Sequence, residues 1–214
     1  MDPITAETPL DGWSMTKSVT SMIVGRAVTM GLFDIDAPLS EYLPEADAAH
    51  GALTARHLLT MSSGLHHNWF RDPPFVGEVM PDQVRDALAL PFDHEAGTWW
   101  EYQQTPVTLL LHLVERAVRT DIQAWAQTNL FGPIGIEPGT WSWERDRAGN
   151  TEGWAHLHMR PVDWARLGYL MLHNGSWNGR QLISRAYHKQ SISRVPVNHA
   201  YGMLFWLNGA DEYV

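Results

Sequence analysis

The 214-residue sequence contains no cysteine, so it can hold no disulfide framework and no thiolate nucleophile. Lysine is nearly missing as well. Of the 15 basic side chains, 13 are Arg and only Lys17 and Lys189 are Lys. Positive charge is in deficit overall, and a formal net charge of −9 excludes a generic nucleic-acid surface. No apolar run approaches the ~20 residues of a membrane span. The N-terminus, MDPITAETPL, lacks the basic segment and apolar stretch of a secretory signal. A cytoplasmic setting is therefore expected, a periplasmic or secreted one remaining open if Met1 is not the natural start.

What is present is ordinary in bulk and unusual in one respect. Hydrophobic residues make up 44% of the chain, enough for one sizeable core, and 214 residues point to a single domain, 1–214. Eleven Trp is a high number, and Trp favours pocket walls and interfaces. We find no internal repeat, low-complexity tract or linker.

Periodicity reads mainly helical. Val19, Met22, Ile23, Val24, Ala27 and Val28 give a buried helix from Ser14 to about Met30, stopped by Gly31. FDIDAPLSEYLPE is turn-rich, Asp34 and Asp36 reading as turn formers. Thr54 caps a short helix, and residues 82–90 form another. Leu109, Leu110, Leu111, Leu113 and Val114 mark the clearest helix, over residues 107–118. Asp121 opens the next, Pro161 begins one that ends at Gly175, and Ser184 caps a last. AYGMLFWLN, residues 200–208, reads as the one convincing strand, with short strands near 141–158.

Chemistry centres on the stretch WSMTK. Ser14 and Lys17 are three residues apart, so a helix places them on one face. A serine hydroxyl needs a base beside it, and a Lys deprived of its charge by burial can be that base, which Arg cannot. A Ser in the first turn also presents a backbone N–H to a developing oxyanion. By chance alone, 11 Ser and two Lys would give about 0.1 such pairs. Taken alone, the pair reads equally well as a surface Ser beside a solvated Lys.

The flanks decide. WSMTKSVTSMIVGRAVTMGLFDIDAPLSEYLPE and LTARHLLTMSSGL, followed by GTWWEYQQTPVTLLLHLVERAV, AWAQTNLFGPIGI and PVDWARLGYLMLHNGSWNGRQLIS, resemble the penicillin-recognising serine hydrolases. That group holds the class C β-lactamases, D-alanyl-D-alanine peptidases, and related esterases and 6-aminohexanoate-oligomer hydrolases. The resemblance implies an α+β, β-lactamase/transpeptidase-like fold. It implies that Ser14 is acylated and Lys17 assists proton transfer. The second family motif, Y-x-N, reads here Tyr102-Gln103-Gln104, giving Tyr102 an acid/base role with its ionised form favoured by Lys17. Gln104 departs from Asn and falls on substrate-amide contacts. Trp99 and Trp100 would wall the cleft, and Trp154 and His158 could reach it.

The third motif, K-T-G or H-x-G on a strand, is not found. His173-Asn174-Gly175 matches by letters but sits at a helix end and is a decoy. Family members carry strands before and after the stretch present here, so the chain reads as the helical portion with the central sheet largely absent. A missing segment or second chain would then complete the sheet. His66-His67 and His156-x-His158 are the best metal candidates among 11 His, yet no carboxylate stands at zinc-helix spacing. No metal and no cofactor are expected. The expected function is a serine hydrolase working through an acyl-enzyme on an ester, β-lactam or small amide, esterase or amidase preferred because of Gln104. The rival is a non-catalytic binding or scaffold relative.

Overall fold

The computed structural model describes residues 4–67 and 81–208. Eight helices and two small antiparallel sheets are formed among them. Helix α1 runs Met15–Thr29, α2 Ala48–Gly51, α3 Ala55–Leu59, α4 Gln83–Ala87 and α5 Thr105–Val118. Then come α6, Ile122–Ala126, which continues as a π-helical turn over Gln127–Phe131, α7, Pro161–Leu172, and α8, Arg185–Ser191. No helix among the described residues is long and apolar enough to cross a membrane.

The helix starts follow local chemistry. Asp47, Thr54, Asp82, Asp121 and Ser184 each place a side-chain oxygen on a backbone N–H of the first turn. At α3 the cap is reciprocal, because the His57 ring also reaches back to the Thr54 N–H. Pro106 and Pro161 sit in first turns, where their missing N–H costs nothing.

Helix α5 is the centre of the core. Val107, Leu109, Leu110, Leu111, Leu113 and Val114 are all fully buried, each contributing roughly 2 kcal/mol relative to exposure. Helices α1, α3, α4 and α6 pack around it. Helix α1 is pinned from two sides. Tyr187 of α8 hydrogen-bonds to Ser21, its ring packed against Gly25, where an added Cβ would meet it at 2.5 Å. On the other side Thr20 Oγ1 donates to the Gly153 carbonyl at 2.7 Å.

The three-stranded sheet has the order β1-β3-β2, with β1 at Leu10–Asp11, β2 at Trp141–Trp143 and β3 at Leu157–Met159. Asp11 faces His158 across β1 and β3, so the residues just before α1 are stitched to a segment almost 150 positions away. Strands β4, Ser176–Trp177, and β5, Arg180–Gln181, make a separate hairpin.

Residues 200–208 are not the strand that their aromatic alternation suggests. Leu204 has φ of 62° and folds the segment back so that Tyr201 bridges Trp206. Neighbouring helices hold this turn: Leu204 N–H donates to the Leu59 carbonyl, Ser18 Oγ donates to the Leu204 carbonyl, and Met203 N–H donates to the Ser191 carbonyl. Those groups outcompete a ladder partner. The helix-rich, strand-poor reading of the rest stands.

Candidate active site

Ser14 lies at the start of α1, exposed, with Trp13 and Met15 flanking it at 59% and 55% exposure. Trp13 has φ of 45°, unusual for a bulky residue, so the chain turns sharply into the helix at this point. The Ser14 N–H donates to no acceptor among the described residues. Gly12 allows the turn, because a Cβ there would collide with the Trp164 ring at 2.2 Å.

Lys17 is only 1% exposed. Its Nζ stands 3.2 Å from Ser14 Oγ and donates to the Trp154 carbonyl at 3.1 Å. It also lies over the Tyr102 ring, 4.7 Å from the centroid. No carboxylate pairs with it among the described residues, so burial acts unopposed and lowers its pKa from 10.5 to about 7. Burial thus favours the neutral amine far more than in a solvated lysine.

Tyr102 precedes α5 and is partly buried, with hydrogen-bonding contacts to Ser14 and to the Trp206 side chain. Its shift runs against the sequence-based expectation. Burial raises the phenol pKa, and the two hydrogen bonds only partly oppose this. Lys17 faces the ring rather than the phenol oxygen, so it does not favour the phenolate. Tyr102 therefore enters the site as a proton donor.

Loop 153–157 lies along the first turns of α1. Thr16 Oγ1 accepts from Leu157 N–H, Lys17 donates to Trp154, and Thr20 donates to Gly153. Gly153 permits this approach, since a Cβ would stand 2.6 Å from the Val107 carbonyl oxygen. Trp154 is buried and gives Lys17 its carbonyl and, at 5.7 Å, its ring.

The remaining residues divide. Gln104 is 5% exposed and its Oε1 has no hydrogen-bond partner among the described residues. Gln103 instead ties the turn to residues 61–65 through Ser63 and the Leu65 carbonyl. Trp100 packs against Tyr201 and Trp206, with centroids at 5.4 and 5.8 Å, and stands 6.4 Å from Tyr102. Trp99 stacks on His94 instead. His158 does not join the group. It lies between buried Leu157 and Met159 on β3, points the other way, and meets Glu144 at 3.3 Å. His156 takes the place nearest Trp154, at 5.2 Å between rings. His173 caps α7 and stacks on Tyr169, and Asn174 and Gly175 turn left-handed, so H-N-G is a helix-end turn. His66 is paired with Asp93, and among the described residues no three ligating side chains converge.

Sequence reading did not bring Trp206 to this site, and it named His156 only as a metal candidate. Trp206 lay hidden in an apparent strand. A cavity of about 810 Å³ lies elsewhere, walled by Leu32, Tyr42, Arg116 and Arg119, and carries no such reactive pair.

A serine beside a buried, uncomplemented lysine and a neutral tyrosine is one arrangement of an acyl-transfer site. The family described as Beta-lactamase matches residues 1–205. The chain belongs to the beta-lactamase family. The chain is similar to the Monacolin J acid methylbutanoyltransferase of Aspergillus terreus, 28% identical over 160 residues, covering 64% of this chain and 38% of that protein. Esterase EstB of Burkholderia gladioli is 27% identical over 144 residues, covering 58% of this chain and 36% of the esterase. The chain thus spans under two-fifths of the length of these relatives. Among solved structures, a candidate beta-lactamase from Bacteroides dorei DSM 17855 superposes with a TM-score of 0.80 at 19% identity, covering 95% of this chain and 67% of that one. Simvastatin Synthase (LovD) from Aspergillus terreus gives 0.65 at 21%, covering 90% and 60%. At these identities the structures show the fold, the β-lactamase/transpeptidase-like one. The relatives are named for methylbutanoyl transfer and for esterase activity.

Proposed function

We propose that this protein transfers acyl groups through a covalent ester on Ser14. Lys17 takes the Ser14 hydroxyl proton while Oγ bonds to the carbonyl carbon of an ester or small amide. The Ser14 N–H holds the developing oxyanion. The bond to the leaving group breaks as Tyr102 gives that group its proton. Water, or an alcohol in its place, then bonds to the acyl carbon and gives its proton to Tyr102, while the bond to Oγ breaks and Lys17 returns its proton to Ser14. The observation that carries this reading is Lys17: 1% exposed, 3.2 Å from Ser14 Oγ, and brought by burial to a pKa of about 7. A scaffold has no use for a buried amine without a counter-charge.

Exposed Trp13 and Met15 flank Ser14, and Trp206 (58% exposed) packs against Tyr102, which favours an apolar acyl or alcohol portion over a charged one. The relatives named for esterase and methylbutanoyl-transfer activity support esters ahead of β-lactams. We assign Gln104, whose buried Oε1 has no hydrogen-bond partner among the described residues, to accept from a substrate N–H or O–H once a side-chain shift exposes that oxygen. Hydrolysis of a series of p-nitrophenyl esters tests the reading. Turnover by the parent that disappears in Ser14→Ala supports it, and turnover equal in both overturns it.

A further inference from the structure

We propose that His156 is a positioning residue for Ser14, clamping the turn from which the nucleophile projects. The inference rests on the reading of Ser14 as nucleophile. His156 touches none of the three groups given a chemical role, yet it is bound to both ends of their support.

One end is the entry to α1. Asp11 uses its two oxygens separately: Oδ1 accepts the Trp13 N–H at 2.8 Å, and Oδ2 lies 3.1 Å from His156 Nδ1. Trp13 holds φ of 45° and His156 φ of 60°, and the two rings approach to 5.9 Å. Two non-glycine residues in left-handed conformation and in contact, one of them immediately before the serine, are a local concentration of strain. Such strain persists only where surrounding contacts enforce it. The enforcing contact here is the shared carboxylate of Asp11.

The other end is the base. His156 Nε2 lies 3.7 Å from Glu152 Oε2, and Glu152 Oε1 accepts from Gln83 Nε2 at 3.0 Å. Gln83 Oε1 accepts from the Trp154 indole N–H at 3.0 Å and from Thr108 Oγ1 at 2.7 Å. The Trp154 carbonyl accepts from Lys17 Nζ. A continuous set of polar contacts therefore runs from the residue before the nucleophile to the acceptor of its base, and His156 is the one member that bridges the two halves. Since the carboxylates of Asp11 and Glu152 face opposite ring nitrogens, an imidazole is the side chain that can span them.

The consequence is kinetic. Loosening the clamp lets Ser14 and Lys17 sample other separations, which slows bond formation without removing any group that contacts substrate. Acylation should be followed by stopped-flow release of p-nitrophenol over a range of ester concentrations, separating substrate binding from the acylation rate constant. Circular dichroism and thermal melting would confirm folding. His156→Ala is expected to lower the acylation rate constant about 10- to 100-fold with binding changed less than about 2-fold. His156→Asn, which tolerates the left-handed conformation and still donates to Asp11, is expected to recover most of that loss. Asp11→Asn, measured in parallel, keeps the acceptor for Trp13 and should fall between the two. The proposal is overturned if folded His156→Ala acylates at the parent rate, or if His156→Asn is as slow as His156→Ala. Should His156→Ala not fold, Asp11→Asn decides alone: acylation at the parent rate in that variant overturns it. Absence of any acylation in the parent would instead refute the nucleophile reading.

Discussion

Acidification should switch off acylation of Ser14 well before the fold is lost. Lys17 is the base only in its neutral form, and burial brings its pKa from 10.5 to about 7. The neutral fraction is then about 90% near pH 8, about half near pH 7 and about 1% near pH 5. The acylation rate constant should therefore fall roughly 90-fold from about pH 8 to about pH 5, tenfold per pH unit below the midpoint. It should be flat above pH ~8, because Tyr102, with its pKa raised by burial, stays protonated. Pre-steady-state release from a p-nitrophenyl ester gives the profile, with far-UV circular dichroism at each pH to correct for unfolding. A profile flat down to about pH 5 would refute Lys17 as base. A rate that keeps climbing tenfold per unit to the ordinary lysine range would instead refute the neutral Lys17 at neutral pH, since it would leave that amine charged there.

Three further outcomes follow from the same geometry. Folding lowers the Lys17 pKa, so the unfolded chain binds the extra proton between about pH 7 and 10.5; this group's cost to stability grows as pH falls through that window and is complete below it. The full cost is about 5 kcal/mol, and Lys17→Met, after about 1–3 kcal/mol for the orphaned Trp154 carbonyl, should be more stable near pH 7 by about 2 kcal/mol in urea melts while losing acylation. Tyr102→Phe should keep its melting temperature and lose about 10²- to 10⁴-fold in acylation of an ester with a poor leaving group, less with p-nitrophenol. Gly153→Ala must push its Cβ against the Val107 carbonyl at 2.6 Å, so it should lower stability by about 1–3 kcal/mol and slow acylation by moving Trp154.

Much of the site was legible because it is local. Ser14 and Lys17 belong to one helical turn, and Asp82, Thr54, Asp121 and Ser184 announce their helices within four residues. Tyr102 was reached through the motif around it. What was not legible depends on partners distant in the chain. The lowered pKa of Lys17 and the raised pKa of Tyr102 both come from burial, which sequence spacing does not report. His156 gains its place from the pairing of β1 with β3, which no local pattern announces. For His158 the signal was there: Leu157 and Met159 are both apolar, and alternation puts the residue between them on the outer face. The segment 200–208 misled because aromatic alternation suits a strand, whereas a left-handed Leu204 tethered to α1 and α3 makes a turn.

The most direct test of a nucleophilic Ser14 beside a neutral Lys17 is intact-mass analysis after exposure to a fluorophosphonate, with the adduct mapped to its peptide. The account predicts one adduct, on Ser14, forming faster at about pH 8 than at about pH 5 and absent in both Ser14→Ala and Lys17→Met. An unlabelled folded protein, or an adduct on another residue, would contradict it.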